Sequence, residues 1–447
     1  MISDTIAALS TPPGRGGVAI VRVSGAGALA VAGKLFAPAG GTPVSAFEPY
    51  KMVPGRIDCG TFSDFGLCVY FRAPHSFTGE DVVEFHCHGG TGVVRALLRR
   101  AFACGCRPAE RGEFTKRAFL NGKLSLSSAE GLADMINGES EAEIRAGSML
   151  YAERLTGAVR AIQAELTELL AGIDADIDFP EEDIEHTDLK EIGAGIGAIL
   201  AQTEVLAAGY DTGKKIKEGV SVVLAGKPNT GKSSVLNALL GADKAIVSAM
   251  PGTTRDVVEG SLEIGGVRFD LYDTAGIREG KDEAESIGIG RARALIDGAD
   301  LVLFILDASE AMSGEDRAAY ARTEGKRRLV VYNKTDLGEE GGEKPPADIR
   351  VSAKTGENIA QLRQKLFDAC MEGYRADGAF VIEERHHAAL VRAAEELRAA
   401  RSLCGSVPPD LLGVHLRAAW EALGEITGET ANERIIDEIF SKFCVGK

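Results

Sequence analysis

The sequence lacks any excess of positive charge: 50 Lys and Arg stand against 66 Asp and Glu, a formal net charge of −16. That balance excludes a chain that coats nucleic acid by bulk charge, though not one with a local basic patch. Met1 to Pro13 has no basic n-region and no apolar h-region, so no signal peptide is expected. No run of roughly 18 uncharged apolar residues occurs, so no membrane span is expected either. The longest apolar stretches, such as Leu301 to Leu306, are strand-length. Cys59, Cys68, Cys87, Cys104, Cys106, Cys370, Cys404 and Cys444 form no CxxC pair. Reduced thiols in a cytoplasmic protein are expected rather than a disulfide framework. No internal repeat or low-complexity tract is present. What remains is a chain of 447 residues, 45% apolar and 26% charged, which is ordinary for globular proteins. It is too long for one core, and about 100–200 residues per domain predicts two to four domains.

The charge is unevenly spread. Residues 91–124 carry eight basic groups (Arg95, Arg99, Arg100, Arg107, Arg111, Lys116, Arg117, Lys123) against Glu110 and Glu113. Residues 125–217 hold most of the acidity. Residues 1–118 read as mixed α and β, with strands at Val18 to Val23, Leu67 to Phe71 and Asp81 to His88 and a helix at Thr91 to Cys104. Residues 125–210 read as long amphipathic helices with apolar positions three and four apart (Leu155, Val159, Ile162, Leu166, Leu169, Leu170). Pro180 breaks them by disfavouring helix at Phe179. Residues 218–379 alternate apolar strands and helices, the pattern of a doubly wound parallel sheet. Residues 380–447 return to helix, so the α/β unit is expected to be inserted into a helical domain.

One motif carries chemistry outright. The strand Ser221 to Ala225 runs into Gly226-Lys-Pro-Asn-Thr-Gly231-Lys232-Ser233, a GxxxxGKS loop. Its glycines let backbone N–H groups turn toward phosphate oxygens. Lys232 supplies a charge for the β- and γ-phosphates, and Ser233 a hydroxyl for Mg²⁺. Asp273 ends a later strand and fits the Mg²⁺ shell, and Thr274-Ala275-Gly276 follows, whose Gly276 N–H can read the γ-phosphate. Asn333-Lys334-Thr335-Asp336 then offers an Asp carboxylate that can accept from guanine N1–H and N2–H₂, donors adenine does not present. Ser352-Ala353-Lys354 fits the base-side loop. The ordered set resembles the Ras-like GTPases and selects GTP over ATP.

Gly252-Thr253-Thr254-Arg255-Asp256 is a switch candidate, since a threonine hydroxyl can close on Mg²⁺ only with the γ-phosphate present. Ile277 stands where many Ras-like GTPases carry a water-orienting glutamine. Another group must serve, and Glu279, Asp282, Glu283 and Glu285 are candidates.

The whole chain resembles the MnmE (TrmE) family of tRNA-modification GTPases. The resemblance rests on Asp4-Thr-Ile-Ala, Thr11-Pro-Pro-Gly-Arg-Gly-Gly17, Ser76-Phe-Thr-Gly-Glu-Asp81, Arg111-Gly-Glu-Phe114, Arg117-Ala-Phe-Leu-Asn121, Ile177-Asp-Phe-Pro-Glu181 and the terminal Phe443-Cys444-Val445-Gly446-Lys447. It implies four parts: an α/β tetrahydrofolate-binding and dimerisation domain (1–118), helical segments at 119–217 and 380–447, and a Ras-like G domain (218–379). It implies a homodimer that works with the flavoprotein MnmG (GidA) to add an aminomethyl-type group to carbon 5 of the wobble uridine, U34, of certain tRNAs. The carbon would come from a 5-formyl- or 5,10-methylene-tetrahydrofolate. GTP hydrolysis would depend on K⁺ and accompany G-domain dimerisation. The family pattern places GTP on Asn229, Thr230, Gly231, Lys232, Ser233 and Ser234, and on Ser248, Ala249, Met250, Pro251, Gly252, Thr253 and Thr254. Asp273 to Gly276, Asn333, Lys334, Asp336 and Ser352 to Lys354 complete that site. Ser233 and Thr254 match the Mg²⁺ ligands. Asn229, Ser248, Met250 and Thr253 match the K⁺ ligands, with Ser248 replacing a threonine of some relatives. Glu285 matches the glutamate that orients the attacking water. Arg22, Glu84, Lys123 and Lys447 match the folate ligands, and Cys444 is either a nucleophile or a small buried or tail residue near the folate. A regulatory or ribosome-associated GTPase is the alternative, but it explains neither Arg22 and Glu84 nor the C-terminal motif.

Glu84, His86 and His88 alternate along one strand and so face one side. With Cys87 beside them they imitate a metal cluster, but HxH without a second ligand pair is weak, and a polar face lining the folate pocket is the expectation. Cys104-Gly-Cys106 has the wrong spacing for a redox pair and reads as buried thiols. The 91–124 run is either a solvated helix face or a contact for tRNA phosphate or the folate tail. tRNA, if bound, would contact that stretch and avoid the acidic arm.

Overall fold

The computed structural model describes residues 4–178, 189–241, 260–273, 293–374 and 381–447. The chain divides into two compact units. One comprises Met1–Ile136, Gly147–Thr203 and Ala389–Lys447, and the other Asn137–Ala146 and Glu204–Ala388. The second is mostly one insertion into the sequence of the first.

The first unit begins with β1 (Ile6–Leu9), β2 (Val18–Ser24), β3 (Phe36–Pro38), β4 (Met52–Asp58), β5 (Ser63–Phe71), β6 (Val82–His88) and β7 (Arg107–Pro108). They form one sheet in the order β3-β4-β5-β6-β2-β1-β7, antiparallel except where β7 joins β1. Helices α1 (Ala28–Leu35) and α2 (Thr91–Ala103) cover one face. Alternate residues point to them, and Val21, Val23, Val83, Phe85, Leu35 and Leu97 make a dry core. The other face carries Arg22, Glu84 and His86. β5 starts four residues before the expected Leu67, because Phe65 on this outer face is exposed and hides the alternation.

Helices α3 (Glu113–Leu120), α4 (Leu126–Asn137), α5 (Glu141–Tyr151), α6 (Arg154–Asp178), α7 (Leu189–Ala208) and α8 (Tyr210–Glu218) follow. The stretch Leu189–Glu218 is long and apolar enough by composition to cross a membrane. Within the first unit, however, α7 buries Ile192, Ile196, Ile199 and Leu200, and Gly195 lies against Leu169 of α6. That is the one-sided stripe of an amphipathic helix packed against its neighbour.

The second unit holds β8 (Val220–Ala225), α9 (Lys232–Gly241), β9 (Gly260–Ile264), β10 (Val267–Asp273), β11 (Leu301–Asp307), α10 (Gly314–Ala321), β12 (Arg328–Asn333), β13 (Ile349–Arg350) and α11 (Ile359–Cys370). The sheet order is β13-β12-β11-β8-β10-β9, all parallel except the edge strand β9. β11 is buried at every residue, as a central parallel strand must be. The strand order reverses at β8, and ligands bind beyond the carboxyl ends of strands at such a reversal.

The chain then returns to the first unit through α12 (Glu384–Leu403), α13 (Pro409–Thr427) and α14 (Glu433–Ser441). α13 runs against α6, where Gln163 Nε2 donates to the Trp420 carbonyl at 3.4 Å. α14 docks on α4 through Leu126, Ala129, Ile439, Phe440 and Phe443.

Candidate functional site

The GxxxxGKS loop lies where β8 ends and α9 begins. Gly226 has φ +146°, and a Cβ there would lie 2.4 Å from the Ile305 carbonyl, so the residue must be glycine. Asn229 has φ +64°, a left-handed conformation that asparagine tolerates. Lys232 is buried, and its Nζ donates to the carbonyls of Gly226 (3.1 Å) and Lys227 (3.0 Å), the concavity a phosphate would enter. Ser233 Oγ donates to Asp273 Oδ2 at 2.8 Å. The two groups expected around Mg²⁺ are thus adjacent, because β10 runs parallel to β8 with Asp273 opposite Leu224. An oxygen pair of this kind suits Mg²⁺, a hard cation that takes few protein ligands and phosphate oxygens.

Asn333, at the end of β12, staples the base-side loops together. Its Nδ2 donates to the Thr230 carbonyl (3.0 Å) and its Oδ1 accepts from Ala353 N–H (3.1 Å). Ser352 Oγ donates to Asp336 Oδ1 at 2.7 Å and aims that carboxylate. Lys334 pairs with Asp307 at 2.6 Å. Burial would raise the Asp307 carboxyl, but the Lys334 ammonium and Ser309 hold it below the usual carboxylate range. Ser234 and Lys354 are exposed at the rim. Sequence reasoning missed Lys227. Its ammonium contacts Glu310 (2.8 Å) and the buried Asp316 (3.1 Å), which caps α10 with Ser313. The loop is therefore anchored to α10 as well as to β8. A lysine inside the GxxxxGKS pattern was the available signal. Ser248 to Thr254, Thr274 to Gly276 and Glu285 lie outside the described residues.

A second cluster lies on the open face of the first unit's sheet. Arg22 and Glu84 are register partners on β2 and β6, with Arg22 Nε 2.7 Å from Glu84 Oε1. The Arg22 guanidinium is flanked by the rings of Phe77 (5.3 Å) and Phe114 (5.6 Å), which the sequence motifs contained but did not assign. Burial would raise the Glu84 carboxyl, but His86 and Arg22 hold it below its usual range. His88 does not join them, because its Nδ1 meets Asp64 Oδ1 at 2.6 Å. Among the described residues no group of three His, Cys, Asp or Glu is placed to hold a metal.

The C-terminal tail reaches this face. Gly112 N–H donates to the Cys444 carbonyl (3.4 Å), Val445 bridges Arg111, and Ser10 Oγ donates to the Gly446 carbonyl (3.1 Å). Burial, and then Arg22, push the Lys447 ammonium below the usual lysine range, while Glu84 opposes them. The tail thus brings Lys447 within electrostatic reach of the Arg22–Glu84 pair. Lys123 is exposed, with its Cγ beside Gly79 in the loop that carries Phe77. Cys444 is exposed at the tail.

Arg117 is fully buried and binds Asp4, Glu80 and Glu113, tying the N-terminal strand, the Phe77 loop and α3 together. Its motif was legible in the sequence but its structural role was not. Of the eight cations in 91–124, Arg100, Arg107, Lys116 and Arg117 are engaged in ion pairs with Asp58, Asp4 or Glu113, Asp437 and the Arg117 cluster. The run is therefore only partly a free basic face. Of the two thiols in Cys104-Gly-Cys106, Cys106 is buried and pushed up to about 11, whereas Cys104 is half-buried. A groove of about 780 Å³ among α6, α12 and α13 has most of its charges paired, Arg392 with Glu425, His415 with Glu396 and Arg417 with Asp174.

A sheet with a phosphate loop at its reversal point, a Ser233–Asp273 pair beside it and an Asp336 carboxylate aimed by Ser352 defines a P-loop GTPase. Family models agree on the rest of the chain: the GTP-binding protein TrmE N-terminus matches residues 5–123, and the MnmE helical domain matches residues 126–444. The chain belongs to the MnmE family. It is 42% identical to the tRNA modification GTPase MnmE of Symbiobacterium thermophilum and 43% identical to that of Chloroflexus aurantiacus, each alignment covering 100% of both chains. Among solved structures, an Era from Aquifex aeolicus bound to GDP and aluminium fluoride is 29% identical. The match covers 39% of this chain and 66% of that one with a TM-score of 0.27, too low to argue from.

Proposed function

We propose that this chain is the GTP-hydrolysing component of the machinery that modifies carbon 5 of the wobble uridine U34 in certain tRNAs, using a tetrahydrofolate one-carbon unit. The observation that carries this beyond nucleotide binding is the Arg22–Glu84 pair on one sheet face, with the C-terminal tail docked beside it through Ser10 and Gly112 and the Lys447 ammonium within electrostatic reach of both. A carboxylate suits a pterin edge and cations suit a glutamate tail, so the set fits a folate with Lys123 at its rim. Nothing in a regulatory or ribosome-associated GTPase would use it.

In this reading Ser233 and Thr254 hold Mg²⁺, and Asn229, Ser248, Met250 and Thr253 hold K⁺. K⁺ supplies positive charge near the β/γ bridge. Lys232 binds the phosphates, Asp273 orders the Mg²⁺ shell, Gly276 reads the γ-phosphate, and Glu285 orients the attacking water. Asp336, backed by Ser352, selects guanine. Ser234, Ala249, Pro251, Gly252, Thr274, Ala275, Ala353 and Lys354 line the nucleotide. The domain limits proposed are 1–118, 119–217, 218–379 and 380–447. The partners are a second copy, MnmG and tRNA in the cytoplasm, with G-domain association accompanying hydrolysis. Cys444 serves either as a nucleophile or as a small tail residue near the folate.

Deletion of the gene is expected to remove the U34 modification, read by mass spectrometry of tRNA nucleosides. Unchanged nucleosides would leave only the regulatory GTPase reading. Exchange of K⁺ for Na⁺, or Glu285→Ala, is expected to slow GTP turnover roughly tenfold or more while sparing nucleotide binding. Equal turnover in both salts would remove the role given to Asn229.

A further inference from the structure

We infer that His86 is a positioning residue for the pterin-reading carboxylate, holding one oxygen of Glu84 while Arg22 holds the other. The inference rests on the folate reading above and deepens it.

Glu84 is held by Arg22 and faced by His86. Across the ladder, Arg22 Nε lies 2.7 Å from Oε1. Along its own strand, His86 Nε2 faces Oε2 at 3.5 Å, just beyond a hydrogen bond. That nitrogen is buried and has no hydrogen-bond partner. The residues opposite it in the register are Ile20 on β2 and Leu67 on β5, which offer no polar side chain. A buried polar atom without a partner calls for an explanation in the native protein. His88, the third polar residue on the face, is accounted for by Asp64 and exposed to solvent. Of the two histidines, only His86 faces the Glu84 carboxylate.

The chemistry of the ligand explains why a second hold is needed. A pterin presents a ring N–H and an amino group side by side. A carboxylate meets both only when its plane is fixed. With Oε1 alone held, the terminal torsion of a glutamate stays broad, and Oε2 can swing. A shift of about half an ångström brings His86 Nε2–H onto Oε2 at ordinary hydrogen-bond length. The two oxygens are then held by two donors at fixed positions, and the remaining lone pairs face the ligand. His86 itself acts through Glu84.

The test is a double-mutant cycle on the full-length protein, with 5-formyl-tetrahydrofolate binding measured by titration calorimetry. His86→Ala is expected to weaken binding about tenfold. His86→Gln, whose amide nitrogen reaches the position of Nε2, is expected to restore most of it, and His86→Asn, whose amide falls short, is not. In a Glu84→Gln background His86→Ala is expected to cost nothing further. An additive cycle, or Gln no better than Asn, would overturn the role while leaving the folate site standing. A wild-type protein that binds no folate would remove the folate reading and this inference together. The Gln and Asn pair keeps the test decisive if the alanine variant is poorly folded, since those two differ only in reach.

Discussion

Asp336→Asn is expected to collapse GTP affinity and transfer preference to xanthosine triphosphate. Asp336 lies on the short 3-10 turn Thr335–Leu337 after β12, and Ser352 Oγ aims its Oδ1 at 2.7 Å. A carboxylate there accepts two hydrogen bonds from guanine, from the ring N–H and the amino group. An amide presents an N–H to one of those donors and carries no charge. Hydrogen bonds to charged groups contribute about 1.5–3 kcal/mol each, so losing two weakens GTP by a factor on the order of a hundred or more. Xanthine has an oxygen where guanine has its amino group, and the new amide N–H can donate to it. Competition of GTP and xanthosine triphosphate for the protein would read this. Retained GTP preference would mean that another group recognises the base.

Gly446→Ala is expected to detach the C-terminal lysine from the sheet face and reduce folate affinity by roughly tenfold or more, while thermal stability falls modestly. Gly446 has φ +103°, and a Cβ there would lie 1.9 Å from the Leu9 carbonyl. No rotamer relieves a backbone clash, and the conformation itself costs a non-glycine residue about 1–3 kcal/mol. The tail must move, taking the Ser10 to Gly446 hydrogen bond with it. α14 remains anchored by Phe440 and Phe443, so the loss is local. Calorimetric titration with 5-formyl-tetrahydrofolate measures it. Undiminished affinity would show that Lys447 is not a ligand.

The two sites were legible to different degrees. The nucleotide loops are local: each motif spans a few residues, and the strand before it positions it. The cluster around Arg22 and Glu84 is non-local. Arg22 and Glu84 meet only because β2 and β6 pair antiparallel in that register, and a one-residue slip would turn either side chain toward α1 and α2. β1, β3, β4 and β7 escaped sequence reading because they are short or, like β4, carry Pro54 and Gly55 in mid-run. The basic run at 91–124 read as one patch, but its cations are divided between internal ion pairs and solvent. Arg117, central to that run, is the most deeply committed of them.

By itself the sequence determined the class of the protein, its α/β and helical segments, its phosphate loop and its guanine specificity, because those depend on residue types at short spacing. It also determined the family, through long motifs spread over the whole chain. Only the tertiary structure decided that the last lysine joins Arg22 and Glu84, that His86 and not His88 faces the carboxylate, and that Lys227 pairs with Asp316 beneath the loop. Those depend on strand register, on a glycine that lets the tail approach Leu9, and on which charged groups satisfy one another out of water. Sequence spacing does not encode such distances, because they arise between segments that meet only after folding.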